Sequence, residues 1–229
     1  LSNYGINENG FGNAAKLRVY CSAEAHSSVE KAVKIAGIGR TNLVKIPTDA
    51  QYRMDTAKLR EAMAADVAAG FVPLCVVAAL GTTGCTAIDP LGEIAAASRE
   101  FGAWLHVDAA YAGSALLLPE YRWMIEGMEQ ADSFVFNPHK WMFTNFDCSA
   151  YFVKDREALI RTFEILPEYL KTASRELVND YRDWGIQLGR RFRALKLWFV
   201  IRSFGINQVQ EKIREHIRLA QWFGQQVQN

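Results

Sequence analysis

Pro73-Leu74-Cys75-Val76-Val77-Ala78-Ala79-Leu80, running straight into Gly81-Thr82-Thr83-Gly84, is the stretch that decides the fold. A nearly unbroken apolar run of this length cannot alternate a wet face with a dry one. It suits a strand covered on both faces, as in the interior of a parallel sheet. The Gly-Thr-Thr-Gly that ends it reads as a turn with hydroxyls at its tip. Shorter strands flank it: Leu17 to Cys21 and Leu43 to Ile46 (stopped by Pro47) come before, and Trp104 to Val107, Ser133 to Phe136 and Ser149 to Val153 come after. Helical patterns separate them. One follows the Ser27-Ser28 pair, which can cap it, from about Val29 to Ala36. A second opens at Asp55 or Thr56 and ends near Gly70, and a third spans Leu91 to Phe101. Two more close the chain, Leu188 to Phe204 and Asn207 to Phe223. Strands separated by helices mean βαβ units and an α/β domain with a parallel or mostly parallel sheet. The one long polar stretch without periodicity, Pro167 to Asp183, has the length of a functional lid or a linker.

Composition narrows the partners. The chain has 229 residues, half of them hydrophobic, and a formal net charge of +1. That is enough chain to bury a sizeable core, and nothing in it calls for a polyanion or predicts a disordered tail. The densest basic segment, Arg190 to Lys196, reads as a solvated helix face opposite Phe192, Leu195 and Phe199. No apolar run approaches the roughly 18 residues of a membrane-spanning helix, and the start shows no signal-peptide pattern. Cys21, Cys75, Cys85 and Cys148 are dispersed and form no CxxC, which predicts free thiols in a reducing compartment, the cytoplasm.

Ligands of open α/β sheets sit beyond the carboxyl ends of the strands. Four candidates fall there: His26, the Thr82/Thr83 pair, Asp108 and Lys140. Asn137-Pro138-His139-Lys140-Trp141 puts a lysine just after an apolar strand, with Pro138 fixing φ before it. Such a lysine is either solvated surface or, if its neighbours His139 and Trp141 partly desolvate it, a catalytic amine. Asp108, after Trp104-Leu105-His106-Val107, is either a turn or capping acid or the partner of a cationic ring nitrogen. His106-x-Asp108 also has the spacing to begin a metal site, although no further ligand set accompanies it. His26 reads as a capping imidazole or as a ring stacked on a cofactor. An amine that captures an aldehyde and an acid that holds a pyridinium are the two anchors of pyridoxal 5′-phosphate (PLP) chemistry.

Six segments run in the same order as in the group II PLP-dependent amino-acid decarboxylases. They are Ala25-His26-Ser27-Ser28-Val29-Glu30-Lys31, Leu80 to Gly84, His106 to Ser114, Asn137 to Trp141, Asn145-Phe146-Asp147-Cys148-Ser149, and Asp180 to Trp184 with Leu188 to Phe192. The chain most resembles the aromatic-L-amino-acid branch (DOPA, tryptophan and tyrosine decarboxylases). The resemblance implies a type I PLP-dependent (aspartate-aminotransferase-like) large domain working as a homodimer. It implies that Lys140 is the Schiff-base lysine, Asp108 the pyridinium partner and His26 the stacking ring. It places Thr83 and Ala110 in the cofactor pocket, and Asn137 and His139 near the cofactor phosphate.

Two further matches narrow the reaction. Tyr169, in Pro167-Glu168-Tyr169-Leu170-Lys171, matches the tyrosine that protonates the substrate α-carbon after CO2 leaves. Phe at that position accompanies oxidative deamination to an aldehyde, so Tyr169 argues for simple decarboxylation. Gly189 leaves room for a catechol or indole ring where histidine decarboxylases and many phenol-preferring plant enzymes carry Ser. The implied function is decarboxylation of an aromatic L-amino acid. An aldehyde synthase, another group II decarboxylase and a catalytically silent fragment are the alternatives. The matches begin after the family's N-terminal helices and main phosphate loop, and they stop before its C-terminal domain. Residues 1–229 therefore read as the central part of the PLP-binding domain.

Overall fold

The computed structural model describes residues 5–11, 16–165 and 181–228. Among them one six-stranded sheet forms from β1 (Lys16–Ser22), β2 (Leu43–Ile46), β3 (Phe71–Ala79), β4 (Trp104–Asp108), β5 (Ser133–Phe136) and β6 (Ala150–Val153). Its order is β2-β1-β3-β4-β5-β6. The first five strands pair in parallel, and β6 is antiparallel to β5. Helices are α1 (Ile6–Asn9), α2 (Ser28–Ile35), α3 (Thr56–Ala68), α4 (Leu91–Glu100), α5 (Pro138–Trp141), α6 (Arg156–Phe163) and α7 (Arg193–Gln228). The mostly parallel α/β sheet expected from the Pro73 to Leu80 run is the one observed.

Period-two alternation sorts the strand residues between two layers. Tyr20, Val76, Ala78, Leu105 and Val107 point into the main core, where α3 supplies Leu59 and Met63 and α4 supplies Leu91 and Ile94. Val19, Cys21 and Val77 point the other way, onto Val33 of α2. A third, smaller core joins Leu118 and Met142 to Val209 and Ile213 of α7.

Four details depart from the sequence reading. β3 starts two residues early, at Phe71, and so takes Pro73 into a central strand. Arg18 pairs with Pro73 but Val19 pairs with Cys75, so Leu74 is the extra residue of a bulge. A proline that cannot donate to the ladder is accommodated at such an irregularity. At α2 the capping residue Ser27 makes no side-chain cap bond, since its φ of −58° and ψ of −14° are helical instead of the extended values of a capping residue, and the Ser28 hydroxyl lies against His26. α6, which the periodicity did not single out, is opened by Asp155, whose side chain accepts the Ala158 N–H at 2.9 Å. The last two helices run as one stretch interrupted at Gly205, whose φ of 69° and ψ of 162° break the helix where the sequence separates them. The first of these begins at Arg193 rather than Leu188. Gly189 lies in the excluded segment, and glycine costs about 1 kcal/mol relative to alanine inside a helix.

Asp89 ties the end of β3 to the loop before α3. Its carboxylate is buried and accepts the Met54 N–H through Oδ1 and the Ala79 N–H through Oδ2, both at 2.8 Å. Its own N–H donates to the Ala79 carbonyl at 3.0 Å. Burial outweighs those bonds and raises its pKa to about 6. An acid whose pKa is raised on folding binds more protons folded than unfolded. Its contribution is therefore fully present below the unfolded pKa near 3.8 and is lost as pH rises through about 6. Urea unfolding across that window is expected to show a stability loss on the order of 2–3 kcal/mol from this group. Asp89→Asn, which cannot ionise, should flatten that slope.

Candidate active site

The strand order reverses direction between β1 and β3: the chain steps outward from β1 to β2, then returns to place β3 on the other side of β1. A crevice at the carboxyl end of such a switch point is the expected ligand site of an open α/β sheet. A cavity of about 660 Å³ opens there. His26, Thr82, Thr83, Asp108, Ala110, Asn137 and Lys140 all line it, together with Tyr111 and Ser149. The opposite wall is apolar, with Val19, Val33, Leu74 and Val77 among its residues.

Each polar group is held by its own local geometry. Asp108 ends β4 in register with Ala79 of β3 and Val135 of β5. Its Oδ1 accepts the Ala110 N–H at 3.0 Å, the one hydrogen bond its side chain makes among the described residues. The Ala109 N–H donates to the Val135 carbonyl and the Asn137 N–H to the Ala110 carbonyl, so the segments carrying Asp108 and Lys140 are laced together. The Lys140 amine makes no hydrogen bond or ion pair with any described residue and is exposed. The expected desolvated niche is not formed by its neighbours. Trp141 turns aside to stack on Tyr111, and the His139 ring packs against Phe146.

His26 follows β1 in the turn before α2. The Ser28 N–H donates to its Nδ1 at 3.2 Å and the Ser28 hydroxyl lies 2.9 Å from the same atom. With Nδ1 accepting, the ring proton sits on Nε2. The two threonines divide the labour. Thr82 is buried, and its hydroxyl accepts the Ala87 N–H at 3.0 Å, closing the loop. Thr83 is exposed at the cavity. Asn137 accepts the Ser149 hydroxyl through Oδ1 at 2.7 Å.

Not every predicted residue reaches the cavity. His139 Nδ1 lies 2.7 Å from the Cys148 carbonyl and 2.9 Å from its amide nitrogen, so the ring braces the chain behind Lys140 instead of lining the site. Gly189 is also absent from the lining. Tyr169 and most of the Pro167 to Asp183 stretch lie outside the described residues. No group of three His, Cys, Asp or Glu side chains capable of holding an ion forms around His106 among the described residues. The His106 Nδ1 instead meets Ser133 Oγ at 2.8 Å, and burial lowers its pKa. Sequence reasoning passed over Tyr111 and Ser149. Tyr111 directly follows the Asp108-Ala109-Ala110 turn, and Ser149 opens the strand after Lys140, so both carried a positional signal.

A carboxylate, an amine without a partner among the described residues, an imidazole and a hydroxyl line one cavity, a donor set that fits an electron-accepting pyridinium aldehyde. The sequence profile of the "Pyridoxal-dependent decarboxylase conserved domain" matches residues 7–229. The chain belongs to the pyridoxal-dependent decarboxylase family. It is 50% identical over 210 residues to the aromatic-L-amino-acid decarboxylase of Rattus norvegicus, a match covering 91% of this chain and 43% of that protein. Tyrosine decarboxylase 4 of Petroselinum crispum is 45% identical over 222 residues, covering 95% and 44%. The crystal structure of Catharanthus roseus tryptophan decarboxylase in complex with L-tryptophan superposes with a TM-score of 0.87 at 38% identity, covering 99% of this chain and 47% of that one. The chain thus spans less than half the length of the curated relatives it matches, and the type I PLP-dependent fold is shown. The cofactor of this family is PLP.

Two glycines in this family member let backbone segments touch beneath the site. A Cβ on Gly81, at φ 84°, would sit 2.8 Å from the Ala112 Cβ. A Cβ on Gly113 would sit 2.4 Å from the Cβ of Phe136, the residue that leads into Asn137. Gly113→Ala must push β5 outward, and overpacking of this kind costs about 1–3 kcal/mol. A lower urea midpoint with unchanged m-value is the expected result.

Proposed function

We propose that the full-length enzyme removes the α-carboxylate of an aromatic L-amino acid (DOPA, tyrosine, tryptophan or 5-hydroxytryptophan) as CO2, releasing the amine. The observation that carries this reading is the convergence of Lys140, Asp108 and His26 on one switch-point cavity, in a chain half identical to an aromatic-L-amino-acid decarboxylase. PLP, when bound, supplies an aldehyde carbon for an amine and a ring that accepts the electrons left when CO2 departs. Lys140 Nζ, free of partners among the described residues, would hold the cofactor through its aldehyde carbon. Asp108 would keep a proton on the ring nitrogen, and the Ala110 N–H on Oδ1 orients its carboxylate. His26 offers its ring face, fixed in one tautomer by Ser28. Thr83, Ala110 and Asn137 complete the pocket, with His139 bracing the lysine segment from behind.

The proton delivered to the α-carbon is assigned to the Tyr169 phenol, and room for a large ring to Gly189. A phenol is suited to donate one proton in a closed site without a competing charge. Residues 1–229 are, on this reading, the central part of the PLP-binding domain. The working unit is a homodimer, which is consistent with the apolar residues that α7 leaves exposed, Trp198, Phe199, Trp222 and Phe223 among them. None of the described helices is long and apolar enough to cross a membrane. All four cysteines are free, which supports the cytoplasm as the compartment.

The test begins with covalent attachment. Borohydride reduction of the PLP-loaded full-length protein should leave the cofactor mass on the peptide carrying Lys140, and Lys140→Ala should remove that adduct and the visible absorption band. An unmodified Lys140 with a normal absorption band sinks the assignment. A panel of DOPA, tyrosine, tryptophan, 5-hydroxytryptophan and histidine, read by CO2 release, then identifies the substrate. Tyr169→Phe should cut amine formation by roughly 100-fold or more, the scale of a lost general acid, while the lysine adduct persists. Hydrogen peroxide and ammonia in the wild-type reaction would instead mark an aldehyde synthase.

A further inference from the structure

The helix that carries Lys140 is four residues long. A single turn has no stability of its own, because nucleation is not repaid over so few residues. Its N-cap residue Asn137 makes no side-chain cap bond. Backbone bonds anchor the turn, the Asn137 N–H to the Ala110 carbonyl and the His139 N–H to the Cys148 carbonyl, and side chains on either side of Lys140 hold it further. On one side His139 is braced against the backbone of Cys148. On the other, the Trp141 ring lies flat on Tyr111, with centroids 4.8 Å apart and planes 3° from parallel. The Trp141 indole Nε1–H donates to Nδ1 of His216 at 3.1 Å, across 75 residues of sequence. His216 is itself set edge-on against Phe143, with centroids 5.7 Å apart. Between Trp141 and Phe143, Met142 is buried against Val209 and Ile213 of the same helix, α7.

We infer that His216 is a positioning residue for Lys140, acting as the hydrogen-bond acceptor that fixes the Trp141 indole on Tyr111. A bare indole N–H is a donor only, so the interaction needs an acceptor at this point, and Nδ1 of a neutral imidazole is one. Tyr111, the other face of the stack, lines the cavity one residue beyond Ala110. A rotation of Trp141 would therefore move the lysine turn and the cavity wall together. His216 lies in the part of the chain that sequence reading assigned only to a terminal helix. The inference rests on the proposed role of Lys140, but its geometry does not require PLP to be present.

The experiment uses the full-length protein and three variants. His216→Leu removes the acceptor, His216→Asn retains one at the position of Nδ1, and Trp141→Phe keeps the stack while deleting the donor. In the apo-protein, amide hydrogen exchange over residues 138–143 should quicken by roughly 5- to 10-fold in His216→Leu and Trp141→Phe, the scale of one net hydrogen bond. His216→Asn should restore most of the protection. In the holoenzyme His216→Leu and Trp141→Phe should release PLP faster by a similar factor. The double variant should be no worse than either single one, since both remove the same bond. Unchanged exchange in His216→Leu, or effects that multiply in the double variant, would overturn the inference. A wild-type protein that binds no PLP would sink the proposed function instead, leaving the exchange result to decide this one.

Discussion

The pairing of β3 between β1 and β4 is the constraint on which the rest of the molecule depends. It brings Ala79 level with Asp108 and fixes the edge from which every candidate ligand projects. A parallel strand in this position must be dry on both faces, so its sequence has no freedom to carry charge. The polar groups it cannot hold are displaced to its end. Thr82 closes the following loop, Thr83 faces the cavity, and Asp89 comes back to grip the Ala79 N–H. The cost is a buried carboxyl whose pKa rises to about 6. The gain is a rigid rim.

That rim supports chemistry with little dedicated machinery. Asp108 and Lys140 sit on adjacent strand ends laced by backbone hydrogen bonds from Ala109 and Asn137. Close backbone contact between those ends is possible because Gly113 leaves space for Phe136. The sheet thus places the Asp108 carboxylate and the Lys140 turn side by side as a consequence of its own register. The residues that need tuning lie one layer back. Ser28 sets the tautomer of His26, Ser149 holds Asn137, and Trp141 with His139 brackets the lysine.

Much of this was legible in the chain. Strand and helix alternation follows from hydrophobic period, and β1 to β5 fall where the runs of apolar residues end. Asp108 and Lys140 were found because a charged side chain directly after an apolar strand is conspicuous. The misses are equally physical. Pro73 argued for a strand boundary, but a bulge absorbs it. Ser27 had the chemistry of a cap, but its backbone is already helical and its side chain makes no cap bond. His139, matched by resemblance to a position near the cofactor phosphate, points to Cys148 while Lys140 lines the cavity, because a helical turn points successive side chains in different directions.

By itself, the sequence determined the fold class and the order of the elements, and it singled out Lys140 and Asp108 as candidates. Those depend on local periodicity and on residue types that few environments tolerate. Only the tertiary structure decided which side chains share the cavity, that Thr82 is buried while Thr83 is exposed, and that His216 reaches Trp141 across 75 residues. Contacts of that kind are set by how layers pack after the strands have paired. A linear chain carries no periodic signal for two residues that meet only once the sheet and α7 are both in place.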